Sequence, residues 1–402
     1  MKILVINCGS SSVKFKLFEM PGRVLLANGS VEKIGEEKSI FKYFWSERSG
    51  RKDCKISNHT EALELITKFL IDSDNNIIKN LQEIKGIGHR VVHGGEIFTG
   101  SVLIDSAVIE KIEEYQTLAP LHNPPNLAGI RAAKKFFPES VQVASFDTAF
   151  HARIPDVAFL YAIPHDFYEK HRIRRYGFHG TSHRYVSRRA AELLGKGKYE
   201  INCISCHLGN GCSITAVRNG YSVDTSMGFT PLEGLIMGTR SGDIDPGVII
   251  FLGEQLGMSI SEIGKFLNRK CGLAGLSGIS NDFRNIVEKA NAGNVQASLA
   301  IDVFCYRVKK YVGAYMAVLG SVDAIIFTAG IGENQPLARE KSLAGLENFG
   351  IILDREKNRA AIGIEAKVHH KDSTVNILVI PTNEELAIAD DTYRIAGGQQ
   401  LQ

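Results

Sequence analysis

The chain has 402 residues, enough for about two or three domains, and 44% of them are hydrophobic, which allows substantial cores. Its 47 basic and 44 acidic residues give a net charge of only +3, which argues against a nucleic-acid-binding protein with a clustered basic stripe. Seven cysteines, an odd number in a long chain, favour a reducing, cytoplasmic location over a disulfide framework. No signal peptide and no long apolar run is recognised, so no membrane association is predicted.

The first stretch of the chain predicts a β-hairpin with a polar tip. Residues 3–6 are apolar and read as a buried strand, and residues 13–17 alternate apolar side chains with lysines as a second strand. Between these two strands lie Asn7, Gly9 and three serines. Glycine permits close backbone approach, hydroxyls donate hydrogen bonds and Lys14 adds charge, so the tip suits a phosphate. An ordinary polar turn is the alternative.

The next segment, residues 20–57, is strand-like, with turns predicted at Pro21-Gly22 and Ser49-Gly50. Asn58 and Glu61 have the spacing of a capping box. They precede a predicted helix whose apolar face comprises Ala62, Leu63, Ile66, Phe69 and Leu70.

Two charged residues end predicted strands in the first half. Arg90 ends a short apolar strand beside Gly94-Gly95, where it can reach a ligand or form a surface salt bridge. A helix is predicted over residues 126–137. Asp147 then ends the strand at 141–146, a common position for a metal-binding or catalytic carboxylate in α/β folds, with helix capping as the alternative.

The middle of the chain carries two further candidate anion-binding groups. Glycines flank His179 within the cationic run at 171–184, and Arg240 lies on the glycine-flanked turn at 237–247. Most runs of charged residues lie on solvent-exposed surfaces, and Arg188 and Arg189 are assigned to such a surface. Arg90 and Arg240, on different domains, could close on one anion from opposite sides.

The opening pattern of strand, glycine turn and strand recurs at residues 203–217, which indicates duplicated domains. Cys203 and Cys206 lie within this apolar strand and are read as buried thiols rather than a redox pair. A predicted helix carries an apolar stripe from Ala300 to Val318, which is expected to face the core. A third glycine-rich turn follows this helix at 328–334. Two phosphate hairpins plus such a turn suit the actin-like ATPase architecture, an α/β fold with a nucleotide between two similar domains. An acidic pair, Glu384 and Glu385, opens a last helix predicted to reach about residue 396.

Taken together, seven motifs in this order and spacing resemble the acetate kinase family, with its propionate and butyrate kinase relatives. They are NCGSSS at 7–12, GHRVVHGGE at 88–96, RYGFHGTSH at 175–183, HLGNG at 207–211, MGTRSGD at 237–243, FTAGIGEN at 327–334 and TNEE at 382–385. The resemblance covers residues 1 to about 395.

The resemblance implies reversible phosphoryl transfer from MgATP to acetate, giving acetyl phosphate and ADP. By motif, Arg90 and Arg240 bind the carboxylate and the transferring phosphoryl group, and His179 stabilises it. Asp147, Glu384 and Asn7 would handle Mg²⁺, with Mn²⁺ as an alternative ion, as hard oxygen ligands should. No general base is needed because acetate is already ionised. Direct in-line transfer is favoured over a phosphohistidine on His122, His179 or His207.

The same resemblance implies the remaining binding residues. Nucleotide contacts are assigned to Lys14, His207, Leu208, Gly209, Asn210, Gly211, Asp282, Phe283, Arg284, Gly330, Ile331, Gly332, Glu333 and Asn334. Acetate contacts are assigned to Val92, Leu121, His122, Phe178 and Pro231. Propionate kinases often have a smaller residue at the position of Val92, so the valine favours acetate.

The implied fold is a pair of duplicated ribonuclease-H-like domains of the actin-like superfamily with an interdomain active-site cleft. The domains are expected at residues 1–148 with 384–402 and at 149–383, with a homodimer formed through the second. The alternatives are a propionate kinase and a non-catalytic, nucleotide-binding member of the superfamily. No nucleic-acid partner is expected.

Overall fold

The computed structural model describes residues 1–399, which form two compact units. The first unit comprises Met1–Ala152 and the segment that begins at Asn383, and the second comprises Arg153–Thr382. The predicted boundaries between the domains lie after residue 148 and after residue 383. The last three residues of the predicted N-terminal domain, 400–402, lie outside the described residues.

Each unit is built on one β-sheet. The strands of the first unit are β1 (Lys2–Gly9), β2 (Ser12–Glu19), β3 (Val24–Glu32), β4 (Ser39–Trp45), β5 (Arg48–Cys54), β6 (Ile84–Val91), β7 (Val102–Leu103) and β8 (Val141–Phe146). Those of the second unit are β9 (Cys203–Leu208), β10 (Cys212–Arg218), β11 (Tyr221–Thr225), β12 (Ala324–Thr328), β13 (Ala366–Lys367) and β14 (Asn376–Val379).

Helices connect and cover these strands. They are α1 (His59–Ile71), α2 (Ser106–Glu114), α3 (Asn123–Phe136), α4 (Asp156–Phe159), α5 (Asp166–His171), α6 (Gly180–Leu193), α7 (Pro246–Glu254), α8 (Ile260–Arg269), α9 (Gly272–Ser277), α10 (Phe283–Asn291), α11 (Val295–Leu319), α12 (Ala329–Asn334), α13 (Pro336–Leu343), α14 (Arg355–Ala360) and α15 (Glu384–Ala396). None of these helices is long and apolar enough to cross a membrane.

The two sheets share a five-strand core of the same order and polarity. In the first unit the order is β5-β4-β3-β2-β1-β6-β8-β7, and in the second it is β11-β10-β9-β12-β14-β13. In each core the first three strands pair antiparallel and the next two are added in parallel. The duplicated α/β fold predicted from the repeated hairpins is therefore confirmed.

The first strand shows why an unbroken apolar run forms the centre of a sheet covered on both faces. Ile3 and Val5 pack with Ile388 of α15, whereas Leu4 and Ile6 join the core on the opposite face. Successive side chains of a strand point to opposite faces, so both faces of β1 must be apolar.

The capped helix of the first unit forms as predicted. The Asn58 side chain accepts a hydrogen bond from the Glu61 backbone N–H at 3.0 Å. The Glu61 carboxylate accepts the backbone N–H of Ser57, one residue earlier than in a standard capping box. The predicted apolar face of α1 is buried.

Two local predictions were wrong. Ser49-Gly50 is not a turn but lies within β5, and the turn is at Ser46, whose φ is 50°. Gly50 pairs with Tyr43 across the strands, and a Cβ there would lie 2.4 Å from the tyrosine ring. This glycine serves packing rather than chain reversal. In α11, Val318 is 39% exposed, so the core stripe excludes it.

Candidate functional site

The first unit gathers its charged candidates at the ends of parallel strands. Gly86 and Gly88 of β6 lie beneath α15, where a Cβ at Gly88 would be 2.5 Å from Ile388 Cγ2. Because side chains alternate along a strand, Arg90 is on the same face as these glycines. It therefore emerges where α15 begins, at Glu384.

Arg90 forms a two-point ion pair with Asp147, the residue that follows β8. Its Nε donates to Oδ1 at 2.9 Å and its Nη2 to Oδ2 at 2.7 Å, while Glu384 Oε2 lies 3.5 Å from Nε. Burial opposes the charged guanidinium, but the Asp147 and Glu384 carboxylates raise the pKa of Arg90 above its ordinary value. The Asp147 carboxylate thus holds Arg90 in a fixed orientation.

A concentration of buried negative charge surrounds this pair. Burial raises the pKa of Glu384 to about 7; Arg90 opposes this shift, and the charges of Asp147 and Glu385 add to it. Glu385 is balanced by Lys16 at 3.0 Å. The charge of Glu384 is only partly compensated, so this carboxylate fits a cation.

A hard divalent ion agrees with the oxygen donors present. Asn7 is a half-buried residue near the end of β1 and, with Glu384, could offer oxygens to Mg²⁺. Within residues 1–399, no three His, Cys, Asp or Glu side chains form a preassembled metal cluster. Mg²⁺ usually takes one or two protein carboxylates and completes its shell with water and substrate phosphates, so the residues fit.

In the second unit, His179 is held at the start of α6 in a constrained conformation. Its φ is 57°, in the left-handed region. Its Nδ1 lies 2.9 Å from Ser213 Oγ, and its ring stacks on His207 with centroids 4.2 Å apart. Ser213 also lies 2.7 Å from Nε2 of the buried His183. The His179 imidazole is therefore held by the stacked His207 ring on one face and by the Ser213 hydroxyl at Nδ1.

Arg240 and His179 come together at the turn between β9 and β10. A Cβ at Gly211 would lie 3.3 Å from the His179 ring and 3.6 Å from Arg240 Nη1. The same Nη1 donates to the carbonyl of Pro231 at 3.2 Å. Burial lowers the pKa of the Arg240 guanidinium, and the described residues place no carboxylate within ion-pair distance of it. An anionic ligand would supply the missing charge.

The same turn borders a cavity of about 700 Å³, a volume suited to a cofactor. Eight residues predicted to bind nucleotide line it: Gly209, Asn210, Asp282, Phe283, Arg284, Gly330, Ile331 and Asn334. Asn281, Gln335 and Ile362 also line it, and none of the three is predicted from the sequence. Asn281 and Gln335 adjoin predicted residues and could have been found by extending those motifs.

The remaining predicted nucleotide residues have other surroundings. Lys14 is exposed in the first unit, and Leu208 is buried within β9. The Glu333 carboxylate accepts the backbone N–H groups of Ala329 and Thr382, at 2.7 and 3.0 Å. His207, Gly211, Gly332 and Glu333 do not line the cavity.

The residues predicted to contact acetate are divided between the units. In the first unit, Val92 and His122 are half-buried and Leu121 is 60% exposed. In the second unit, Phe178 is buried and the carbonyl of Pro231 accepts a hydrogen bond from Arg240.

Comparison with known proteins identifies relatives along the whole chain. The model of the acetokinase family matches residues 2–390. An acetate kinase from Caldanaerobacter subterraneus subsp. tengcongensis is 55% identical over 99% of this chain and all of its own. The crystal structure of Porphyromonas gingivalis acetate kinase has 48% identity and a TM-score of 0.95, covering 98% of this chain and 99% of its own. That of a Francisella tularensis propionate kinase has 46% identity and a TM-score of 0.92, with the same coverage.

Proposed function

Because this chain belongs to the acetokinase family, we propose that it is an acetate kinase that transfers the γ-phosphoryl group of ATP reversibly to acetate. The products are acetyl phosphate and ADP. One observation carries the proposal: the turn at residues 209–211 joins a cavity of about 700 Å³ to His179 and Arg240. A nucleotide in the cavity would direct its phosphates toward these two side chains.

Positioning and charge stabilisation account for the chemistry. Phosphoryl transfer passes through a loose transition state in which negative charge spreads over the phosphoryl oxygens. Arg240, with its partly desolvated guanidinium and no carboxylate partner, would stabilise that charge, and His179 would donate a hydrogen bond to an equatorial oxygen. An arginine in such a role is worth about 10³–10⁵ in rate. The acetate carboxylate is the nucleophile, so no base is required.

In the first unit, Arg90 would bind the acetate carboxylate or the incoming phosphoryl group. Asp147 is fully engaged by Arg90, which favours an orienting role over general-base catalysis. Mg²⁺, or Mn²⁺ in its place, would be held by Glu384 and Asn7, directly or through water, and would neutralise phosphate charge.

The nucleotide would lie with its adenosine in the cavity, between Arg284 and the α12 turn that contains Ile331. The backbone of the residues 209–211 turn would approach the phosphates, because glycines at both ends leave room. His207, stacked on His179, would complete the phosphate side.

Acetate selectivity is assigned to the apolar residues Val92 and Leu121 of the first unit and Phe178 and Pro231 of the second, together with His122 of the first. Propionate kinase is the second candidate, favoured by the similarity to the Francisella structure. One methylene is worth only about 1–3 kcal/mol in an apolar pocket, so Val92 can bias the choice between the acids by about 10–200-fold.

A homodimer formed through the second unit is also proposed. Only Leu252 of the nine residues of α7 is buried, while Ile250 and Phe251 are 58% and 56% exposed. Exposed apolar side chains on one helix support a protein contact. Sedimentation equilibrium tests the dimer, and an Ile250→Glu variant should shift it toward monomer.

All seven cysteines are free thiols, which supports a reducing cytoplasmic environment.

The activity is tested by trapping acyl phosphate with hydroxylamine. Purified protein with MgATP should give the highest kcat/KM on acetate, against propionate and butyrate. Arg240→Ala and Arg90→Ala should each lower kcat by about 10³-fold or more. Better use of propionate would identify a propionate kinase. Absence of product from all three acids would leave a non-catalytic nucleotide-binding protein.

A further inference from the structure

Strands β1 and β6 separate at the point where the candidate residues of the first unit begin. Their parallel ladder runs from Lys2 opposite Ile84 to Ile6 opposite His89 and then ends. Asn7 and Arg90 would be the next pair, but they are no longer partners. β1 nevertheless remains paired with β2 as far as Gly9, and β6 remains paired with β8 as far as Val91. The two strand ends are thus separately supported and diverge from each other.

A single buried amide spans this divergence. The Asn126 side chain, on the first turn of α3, donates from Nδ2 to the Cys8 carbonyl at 2.7 Å. Its Oδ1 accepts the backbone N–H of Val92 at 3.0 Å. Asn126 is only 4% exposed. The side chain therefore does what a peptide group of an intervening strand would do, joining one strand to each side.

A second feature holds α3 against the same strand end. Gly129 lies one turn beyond Asn126, and a Cβ at this position would be 2.3 Å from Cys8 Sγ and 3.2 Å from its Cβ. Cys8 is buried in the sheet, so it has little room to retreat. Glycine at 129 thus permits the close approach of helix and strand that lets the Asn126 amide reach the Cys8 carbonyl.

We propose that Asn126 is a positioning residue for phosphoryl transfer: it fixes the separation between the Asn7 hairpin, which handles metal and phosphate, and the Arg90–Val92 strand end, which handles the acceptor. This inference rests on the proposed kinase function. Neither bridged group is a side chain, so Asn126 acts on the site only through the backbone of its two neighbours.

The first test replaces Asn126 with alanine or with aspartate. Alanine removes the bridge, and aspartate places an oxygen against the Cys8 carbonyl, which repels it. Each variant should lower kcat by about 10–100-fold, the scale of a misplacement near 1 Å. KM for MgATP should change less than kcat, because the nucleotide cavity is lined entirely by residues of the second unit.

Asn123 provides a matched control on the same helix. It is completely buried, and its amide also makes two backbone hydrogen bonds, at 3.1 and 3.0 Å, but both go to His93. Asn123→Ala should therefore lose thermal stability to a similar degree while keeping kcat near the wild-type value. Equal losses of kcat in the two alanine variants would overturn the bridging role. An inactive wild type would instead refute the kinase function on which it rests.

The second test needs no change at Asn126. Gly129→Ala should push α3 away from Cys8 and lower kcat, although alanine ordinarily strengthens a helix interior. Adding Cys8→Ala removes the obstructing sulfur and should recover most of the lost kcat, and Cys8→Ala alone should retain wild-type kcat. Full activity in Gly129→Ala, or no recovery in the double variant, would show that the separation of helix and strand does not govern the reaction.

Discussion

Replacing Glu384 with glutamine is expected to stabilise the metal-free protein while abolishing its activity. Burial and the neighbouring carboxylates raise the pKa of Glu384 to about 7, whereas an unfolded glutamate titrates near 4.3. A carboxylate with a raised folded-state pKa contributes stability that is complete below about pH 4 and is lost as the pH rises through about 7. Above pH 7 the ionised Glu384 therefore opposes folding.

The size of this effect follows from the difference between the two pKa values. At about 1.4 kcal/mol for each pH unit, the ionised side chain costs about 3–4 kcal/mol at pH 8. Glutamine has nearly the same shape and no charge, so the variant should gain about 2–4 kcal/mol at pH 8 in EDTA. Little gain is expected at pH 5, where the native Glu384 is already protonated.

Thermal denaturation in EDTA at pH 5 and pH 8 measures this gain, and the acyl phosphate assay measures activity. Glu385→Gln is the matched control: this neighbouring carboxylate is paired with Lys16 at 3.0 Å, so its removal should not stabilise the protein. Equal melting temperatures for wild type and Glu384→Gln at pH 8 would refute the idea of an uncompensated charge. Retained activity in the variant would refute its role in metal handling.

Three further substitutions test the second unit and the acceptor pocket. Ser213→Ala removes the hydroxyl beside His179 Nδ1 and should lower kcat about five- to tenfold, the value of one hydrogen bond, with KM for MgATP unchanged. Arg339→Met removes a fully buried guanidinium that donates to four backbone carbonyls at 2.7–3.1 Å, two of them in α12. It should lower the free energy of unfolding by more than about 3 kcal/mol and raise KM for MgATP, measured by denaturant titration and steady-state kinetics. Val92→Ala should raise kcat/KM for propionate relative to acetate by about tenfold or more, and an unchanged ratio would exclude Val92 from the pocket.

Local patterns predicted much of the fold because their physical causes are local. The hairpin at β1 and β2, the Asn58 cap and the buried face of α1 depend on residues close together in sequence. Gly50 misled the prediction because its role is set by Tyr43 on the neighbouring strand. A glycine that makes room for an aromatic ring and a glycine that reverses the chain look alike in a sequence.

The candidate site likewise has features that the local sequence predicts and features that depend on contacts between distant residues. Arg90 and Asp147 were each recognised as residues at strand ends, but their two-point ion pair depends on β6 and β8 being neighbours. Asn126 was assigned to a helix and given no role, since its two partners are backbone groups that carry no sequence signal. Ile362 lies 28 residues beyond Asn334 and meets the cavity only through the packing of unit two.

The shared strand order explains how one duplicated fold can supply two kinds of chemistry. In both units the fourth and fifth core strands run parallel to the first, so their carboxyl ends reach the same edge. In the first unit, Arg90 is the next-to-last residue of β6 and Asp147 follows β8, so charged side chains lie at this edge. In the second unit, β12 ends at Thr328 and leads directly into the glycine-containing turn of α12, where backbone atoms line the cavity. A side chain can carry charge to this edge, whereas a turn of backbone without large side chains leaves room for a large ligand. Divergence at the same strand ends therefore allows the first unit to present charged side chains at this edge and the second unit to form a cavity there.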